Sequence, residues 1–466
     1  MAENPGAAPH LPTADPVLRR QRSGWYGYYW ASHTFEASVL TVFMSRYLPS
    51  VAKNAVGGAS GRLHVLGIPI APGSLFTYVI SLSAILLVLL MPIVGAMADR
   101  TGRKREMLLA FGYAGGAACA AMIFVGSTDW VLGAVLLLVA YLSYSCAMVV
   151  YNSLLPDLAG PDERDRVSSI GWGAGYLSGG ILLAATFVLS FFLTDAAWLA
   201  RIALCAAGVW WLIFMIIPLR RLVNLPSAAT ERMSIEGSTL TAGFRQLGHT
   251  LANLRRYPMT MLFLVAFLVY YDGISTVVTL SADYGQNALK LNDNTLLTAI
   301  LIVQFAAVGG ALFLNRLASR WGAKRVIGWS LLVWIGIVVA AYFMQVGSSL
   351  QFFLLALVLS IVMGGTQALS RSLFAQMIPR GNEAEYYSLY EISSSGTSAF
   401  GPLIYGLALQ NTGSYRIAIF SLIAFFVIGL ALLIPVNVRR AIIAAGNTPP
   451  ANLTGAASSE AGSAAR

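Results

Sequence analysis

Charge is what this sequence has least of. Only 11% of its 466 residues are Asp, Glu, Lys or Arg, against roughly 25% in a soluble globular domain. Hydrophobic residues make up 57% and the mean hydropathy is +0.70. So few charges cannot solvate the surface of a soluble protein, which excludes soluble enzymes, secreted domains and disordered scaffolds. Cysteine is also scarce. Cys119, Cys146 and Cys205 lie in apolar runs without metal-ligand spacing, so they read as small buried hydrophobes and imply neither a disulfide framework nor a metal site. No Walker-type phosphate loop is present, so ATP is not expected to drive the protein directly. No Ser-His-acid arrangement, His/Cys cluster or haem motif stands out, so neither catalysis nor a cofactor is expected. Residues 1–24 carry Arg19, Arg20 and Arg22 but no separate apolar core, so no cleavable signal peptide is expected and the first crossing must start insertion itself.

What the chain does have is long apolar runs. A helix needs about 20 apolar residues to cross the hydrocarbon core, and twelve segments qualify, at 26–48, 73–98, 106–126, 131–153, 167–192, 197–218, 258–283, 294–315, 326–346, 351–376, 387–411 and 414–436. The widest gap, 219–257, is basic, and its stretch Thr241–Tyr257 has helical apolar spacing suited to the membrane surface. The expected organisation is an N-terminal segment (1–24), a six-helix bundle (25–218), a linker (219–257), a second bundle (258–437) and a disordered tail (438–466). The net charge of +10 is scattered between apolar runs rather than gathered on one face, so it predicts lipid headgroups rather than nucleic acid as the partner. With the N-terminus inside, 23 of the 30 Lys and Arg fall on the cytoplasmic side and only Lys53, Arg62 and Lys290 on the other. That asymmetry places both termini in the cytoplasm. The predominance of Arg, with only four Lys, and the abundance of Ala and Gly suit a bacterial plasma membrane.

The halves repeat. Gly95-Ala-Met-Ala-Asp99-Arg100-Thr-Gly102-Arg103-Lys104-Arg105 follows the second span, and Asn315-Arg316-Leu-Ala-Ser319-Arg320-Trp-Gly322-Ala-Lys324-Arg325 follows the eighth. Leu155-Pro156 is likewise echoed by Ile378-Pro379, so two related bundles are expected. The first of these loops resembles the signature loop of the major facilitator superfamily. That resemblance implies that Gly95 admits a neighbouring helix, that Asp99 sits at the N-terminus of the eleventh helix, and that Arg103 pairs with Asp99 to latch the cytoplasmic side. The gate set is therefore Gly95, Asp99, Arg100, Gly102, Arg103 and Lys104, with Glu385 and Glu391 at the opening of helix eleven. A carboxylate at a helix N-terminus also meets the positive end of the dipole. Trp25-Tyr-Gly-Tyr-Tyr-Trp30, Tyr271-Asp272-Gly273, Gly364-Gly-Thr-Gln367-Ala-Leu-Ser370-Arg371-Ser372, Glu385-Tyr-Tyr-Ser-Leu-Tyr390 and Gly401-Pro402 look more narrowly like the vacuole-effluxer family of autophagy-related amino-acid exporters and their bacterial relatives. Membership implies an all-α membrane protein of twelve helices in two six-helix bundles, and export of neutral amino acids by the eukaryotic members.

Ionisable groups near the bilayer centre cost about 2.5 to 3.5 kcal/mol on insertion scales and usually face a cavity or a partner. Tyr29, His33 and Glu36 share one face of the first span. In the superfamily fold, helices one, four, seven and ten line the central cavity, so these residues are expected to converge with Tyr144, Met148 and Asn152, with Asp272 and Thr276, and with Gln367, Ser370 and Arg371. Glu36 and Asp272 are the candidates for proton coupling, and Arg371 with Gln367 for anchoring a carboxylate; the rival role for Arg371 is an ion pair with Glu385 or Glu391. Gly171, Gly175 and Gly179 mark a close helix crossing. The expected function is secondary transport of a small solute by a monomer using alternating access, with amino-acid efflux as the finer expectation. The rivals are export of hydrophobic drugs or lipids and a transport-inactive receptor or assembly factor.

Overall fold

A computed structural model describes residues 16–58, 60–65, 68–224, 255–395, 400–451 and 453. The described residues are nearly all helical. A continuous helical run opens it, consisting of α1 (Pro16–Thr34), a π-helical stretch (Phe35–Phe43) and α2 (Met44–Ala55). A short antiparallel hairpin follows, β1 (Leu63–Val65) against β2 (Ile68–Ile70), with Leu63 opposite Ile70. Then come α3 (Leu75–Thr101), α4 (Lys104–Ala120), α5 (Trp130–Ser153), the single turn α6 (Leu155–Leu158), α7 (Arg164–Ser190), α8 (Ala196–Phe214) and α9 (Ile216–Arg221). After the linker lie α10 (Pro258–Asn287), α11 (Asp293–Trp321), α12 (Ala323–Phe343), α13 (Ser349–Met377), α14 (Glu383–Ser395), α15 (Phe400–Thr412), α16 (Tyr415–Ser421), α17 (Ile423–Leu433) and α18 (Val438–Ala444).

Among the described residues, ten helices are long and apolar enough to cross a membrane. The opening run Pro16–Ala55 and the pair α14 and α15 occupy the first and eleventh of the twelve expected crossings. The polar composition of the opening run, rather than a lack of length, separates it from the other ten. Most of the expected amphipathic segment 241–257 lies outside the described residues. The tail expected to be disordered from 438 instead begins with α18, whose Ala441 and Ile442 are buried. Asn447 ties it down by donating its amide to the carbonyls of Gln376 (3.0 Å) and Ile378 (2.7 Å).

Helix crossings use small residues where backbones meet. On α7, Gly171 faces Trp25, Gly175 faces Tyr29 and Gly179 faces Ala37, so the glycine stripe receives α1 and its π-helical extension. Between α11 and α13 the approach is mutual. A methyl group at Gly310 would lie 2.4 Å from the Ile361 carbonyl oxygen, and one at Gly364 would lie 2.5 Å from that of Ala307. The first half meets the second where α7 packs on α11 and α13, and where α3 and α5 pack on α14.

Candidate functional site

A cavity of about 250 Å³ runs down the middle of the molecule, lined by His33, Glu36 and Arg46 of the opening run, Tyr176 of α7, Tyr271 of α10 and Gln367 of α13. Its acid is Glu36, whose side chain is 38% exposed. Glu36 sits in the π-helical stretch, and Thr41 Oγ1 donates to the Glu36 carbonyl at 2.9 Å, five residues back. Such π-helical insertions in a helix are frequent at functional sites. The Tyr144 hydroxyl donates to Glu36 Oε2 at 2.7 Å, and His33 Nδ1 stands 3.3 Å from the same oxygen. His33 is otherwise enclosed by the rings of Tyr29, Trp172 and Tyr176. Gln367 accepts a hydrogen bond from Tyr176 across the two halves.

The remaining expected cavity residues lie elsewhere. Tyr29 is buried in an aromatic wall, stacked on Tyr151 and edge-on to Trp172. Met148 is part of the apolar core. Ser370 shares a 2.6 Å hydrogen bond with the Tyr270 hydroxyl and is fully buried. Asp272 turns towards α15 and accepts from the Gly401 N–H at 2.9 Å, while Thr276 packs against Gly401. Neither of these two lines the cavity.

Arg371 is held between the halves rather than in the cavity. Its Nε donates to Ser168 Oγ (2.9 Å), its Nη2 to the Ser168 carbonyl (2.8 Å) and its Nη1 to Asn152 Oδ1 (3.2 Å). The guanidinium also lies over Trp25, Tyr151 and Trp172 at 4.9, 5.5 and 5.4 Å. Asn152 relays to α14 by donating to Glu391 Oε1 at 2.5 Å. Glu391 therefore lies well inside α14 instead of opening it; the acids in the first turn are Glu383 and Glu385.

Further bonds cross the halves at the same end. Asp99 accepts from the N–H groups of Ala384 (3.1 Å) and Glu385 (2.9 Å), the first turn of α14. Gly95 makes room for this, since a methyl group there would lie 2.6 Å from the Ala384 carbonyl oxygen. Gly102 ends α3 with φ +63°, a conformation that favours glycine. The cation beside Asp99 is Lys104, at 3.9 Å, not Arg103. Lys104 is buried and also reaches Asp157 (3.2 Å) and Glu383 (3.8 Å). Arg103 is exposed at the start of α4, and Arg100 is half-buried. Arg164 Nη1 donates to the Ala375 carbonyl (3.0 Å), Ser168 Oγ to that of Ala368 (2.7 Å) and Ser372 Oγ to Asp165 (2.5 Å). The arrangement closes the Asp99 end with a dense polar network and leaves the cavity directed towards the opposite end, where Arg46 and Tyr284 line it.

The profile of the vacuole effluxer Atg22-like family matches residues 18–446. The chain belongs to this family. It is similar to the MFS-type transporter YxiO of Bacillus subtilis, at 31% identity over 89% of this chain and 94% of that protein. It is also similar to autophagy-related protein 22 of Eremothecium gossypii, at 27% identity over 92% and 94%. Among solved structures it resembles the proton:xylose symporter XylE (TM-score 0.63, 11% identity, 90% and 95% covered) and FucP in its outward conformation (TM-score 0.63, 12% identity, 91% and 99% covered). These last two likenesses show the major facilitator fold. The Atg22-like chain is thus an all-α membrane transporter, not an enzyme.

In this Atg22-like protein several residues at the site escape sequence reasoning. Ser168, Tyr176 and Trp172 sit beside the glycine stripe of α7, and polar or aromatic residues flanking a packing stripe were the available signal. Glu383 and Asp157 form the other side of the Lys104 cluster. Arg46, near the end of the opening run, lines the cavity with Glu36.

Proposed function

We propose that this transporter moves a small amine-bearing solute of the amino-acid kind across a bacterial plasma membrane, outward in physiological use, with both termini cytoplasmic. Alternating access follows from the two ends of the bundle, one closed by buried polar bonds between the halves and the other open to the cavity. The basic residues concentrated at the Asp99 end support a cytoplasmic assignment for it. The observation that carries the reading is Glu36, partly exposed in the cavity and fixed by Tyr144. A carboxylate there can meet a substrate ammonium or take a proton, so the two compete for one site and proton movement becomes linked to solute movement. The groups facing it are His33 from its own run, Tyr144, Tyr176 and Tyr271, with Arg46 and Gln367 further along the wall. Arg371, enclosed by Ser168, Asn152 and three aromatic rings, acts on the conformation instead of on the solute. Asp272, capping α15, is the second candidate for coupling.

Counterflow in proteoliposomes with a mixed amino-acid pool, run over a pH series, tests the reading. Exchange of an amine-bearing solute should vary with pH, and Glu36→Gln should flatten the profile. A mutant with the parental profile would take coupling away from Glu36, and absence of counterflow with every amino acid would remove the substrate class.

A second reading has one observation in its favour. An apolar pocket of about 360 Å³ between the opening run, α7, α8 and α11 shares Val42, Arg46 and Ile300 with the central cavity. Its shape suits export of a hydrophobic or lipid-like molecule. Efflux of a fluorescent amphiphile that is blocked by Leu183→Trp would favour it.

A further inference from the structure

The two repeated basic loops have been put to different uses. In the first, Lys104 is buried among Asp99, Asp157 and Glu383, and Arg105 Nη2 donates to the Leu219 carbonyl at 2.6 Å. In the second, Ser319 stands where the first has Asp99, so the cations remain without the carboxylate. Lys324 donates to the Ile434 carbonyl (2.7 Å). Arg316, Arg320 and Arg325 are exposed and, among the described residues, have no hydrogen-bond or acidic partner for their guanidinium groups; the same holds for Arg166 of α7 and Arg439 of α18.

These groups border one continuous cleft at the Asp99 end. Arg166 and Arg316 face each other across a hollow of about 840 Å³ between α7 and α11, roofed by Pro450 and Ala451. An adjoining hollow of about 460 Å³ is bordered by Arg320, Lys324, Arg325 and Arg439, and shares Asp165, Gln376 and Pro450 with the first. The acids in the walls are already engaged, Asp165 by Ser372 and Asp162 by the Ala451 N–H at 2.7 Å. Those donors are neutral, so both acids still count against the six cations Arg166, Arg316, Arg320, Lys324, Arg325 and Arg439, and the cleft keeps a net positive field; Arg forks match phosphate oxygens in pairs. Its outer edge is apolar. Leu312 lines the hollow, Phe313 and Ile434 are exposed beside it, and the exposed rings of Trp321 and Trp329 meet edge-on at 4.6 Å. Trp at this depth marks the headgroup level of a membrane protein. A soluble phosphate would use the cations and leave this apolar edge without a role, whereas a phospholipid uses both.

We propose that the cleft between α7 and α11 binds an anionic phospholipid, its phosphate held by Arg166, Arg316 and Arg320 and an acyl chain lying along Leu312 and Phe313. Because α7 and α11 belong to different halves, the bound lipid bridges them and favours the arrangement in which the Asp99 end is closed. The inference rests on the membrane fold alone and is independent of the proposed solute.

The test is native mass spectrometry of the full chain with phosphatidylglycerol and phosphatidylcholine offered together. The parental protein should retain phosphatidylglycerol preferentially, and the preference should weaken as salt rises. Each cation near an anionic headgroup is worth about fivefold in binding, so Arg316→Gln with Arg320→Gln should cut the preference by more than tenfold, while Arg62→Gln at the opposite end should leave it intact. Equal retention of the two lipids, a preference unaffected by salt, or one that survives the double substitution would each overturn the proposal. Displacement of the lipid by an equal concentration of glycerol phosphate would also overturn it, by assigning the cleft to a soluble phosphate. Thermal melting of the double variant checks that it remains folded; if it does not, the salt series on the parental protein decides alone.

Discussion

Arg371 shows how one residue can be found by sequence and assigned a role only by structure. A guanidinium in an apolar span is expensive, so it had to have partners, but the expectation set it beside Gln367 on the solute or against Glu385 and Glu391. It instead spans the halves, bonded to Ser168 and Asn152 and layered on Trp25, Tyr151 and Trp172. Glu391 is reached only through Asn152. Arg371→Lys keeps the charge but has no planar fork, leaving buried acceptors on Ser168 and Asn152 unpaired at about 1–3 kcal/mol for each group. That variant should open the Asp99 end, seen as faster hydrogen exchange in residues 375–390, with transport falling for every solute alike. A loss confined to carboxylate-bearing solutes would instead put Arg371 at the substrate.

At the scale of elements, the crossings carry the argument. Asp99 satisfies two N–H groups at the start of α14, where the helix dipole adds about 0.3–1 kcal/mol for a charged acceptor. Asp99→Asn removes the charge and half of the accepting capacity, so amide exchange at Ala384 and Glu385 should rise and labelling from the Asp99 end should increase. Unchanged exchange there would mean that the pair does not hold the halves together. The α11–α13 crossing is tighter still, since Gly310 and Gly364 each face a backbone carbonyl across it. Gly364→Val forces the helices apart, and overpacking of this kind costs about 1–3 kcal/mol; a lowered melting temperature in detergent is the expected outcome. Gly336, with nothing near its side-chain position, should accept Ala without such a penalty.

For the whole molecule, the closed end and the open cavity define a state. Apart from the Tyr176–Gln367 bond in the cavity, the bonds from α3, α5 and α7 to α13 and α14 lie at the Asp99 end, so opening that end must break them together. Many modest bonds breaking as a unit give two discrete arrangements instead of a continuum. Combining Asp99→Asn with Arg371→Lys should therefore give a free-energy shift in accessibility that departs from the sum of the two single shifts, as expected for sites in one network. Strictly additive effects would show that the two sites open independently.

Composition and hydrophobic period determined that this chain crosses a membrane many times, because a bilayer admits only backbone that satisfies itself, and the lengths of the apolar runs follow from its thickness. The repeated loops and the glycine stripe were equally legible, since turn glycines and small residues at every fourth position are local requirements. The tertiary structure decided what each buried polar group does. Nothing in the period of the first span marks the π-helical turn that carries Glu36, and nothing near Asp272 in sequence announces Gly401, 129 residues away. A polar side chain in an apolar helix must find a partner, but its own helix specifies only the face it occupies, and the partner comes from whichever distant helix packs there.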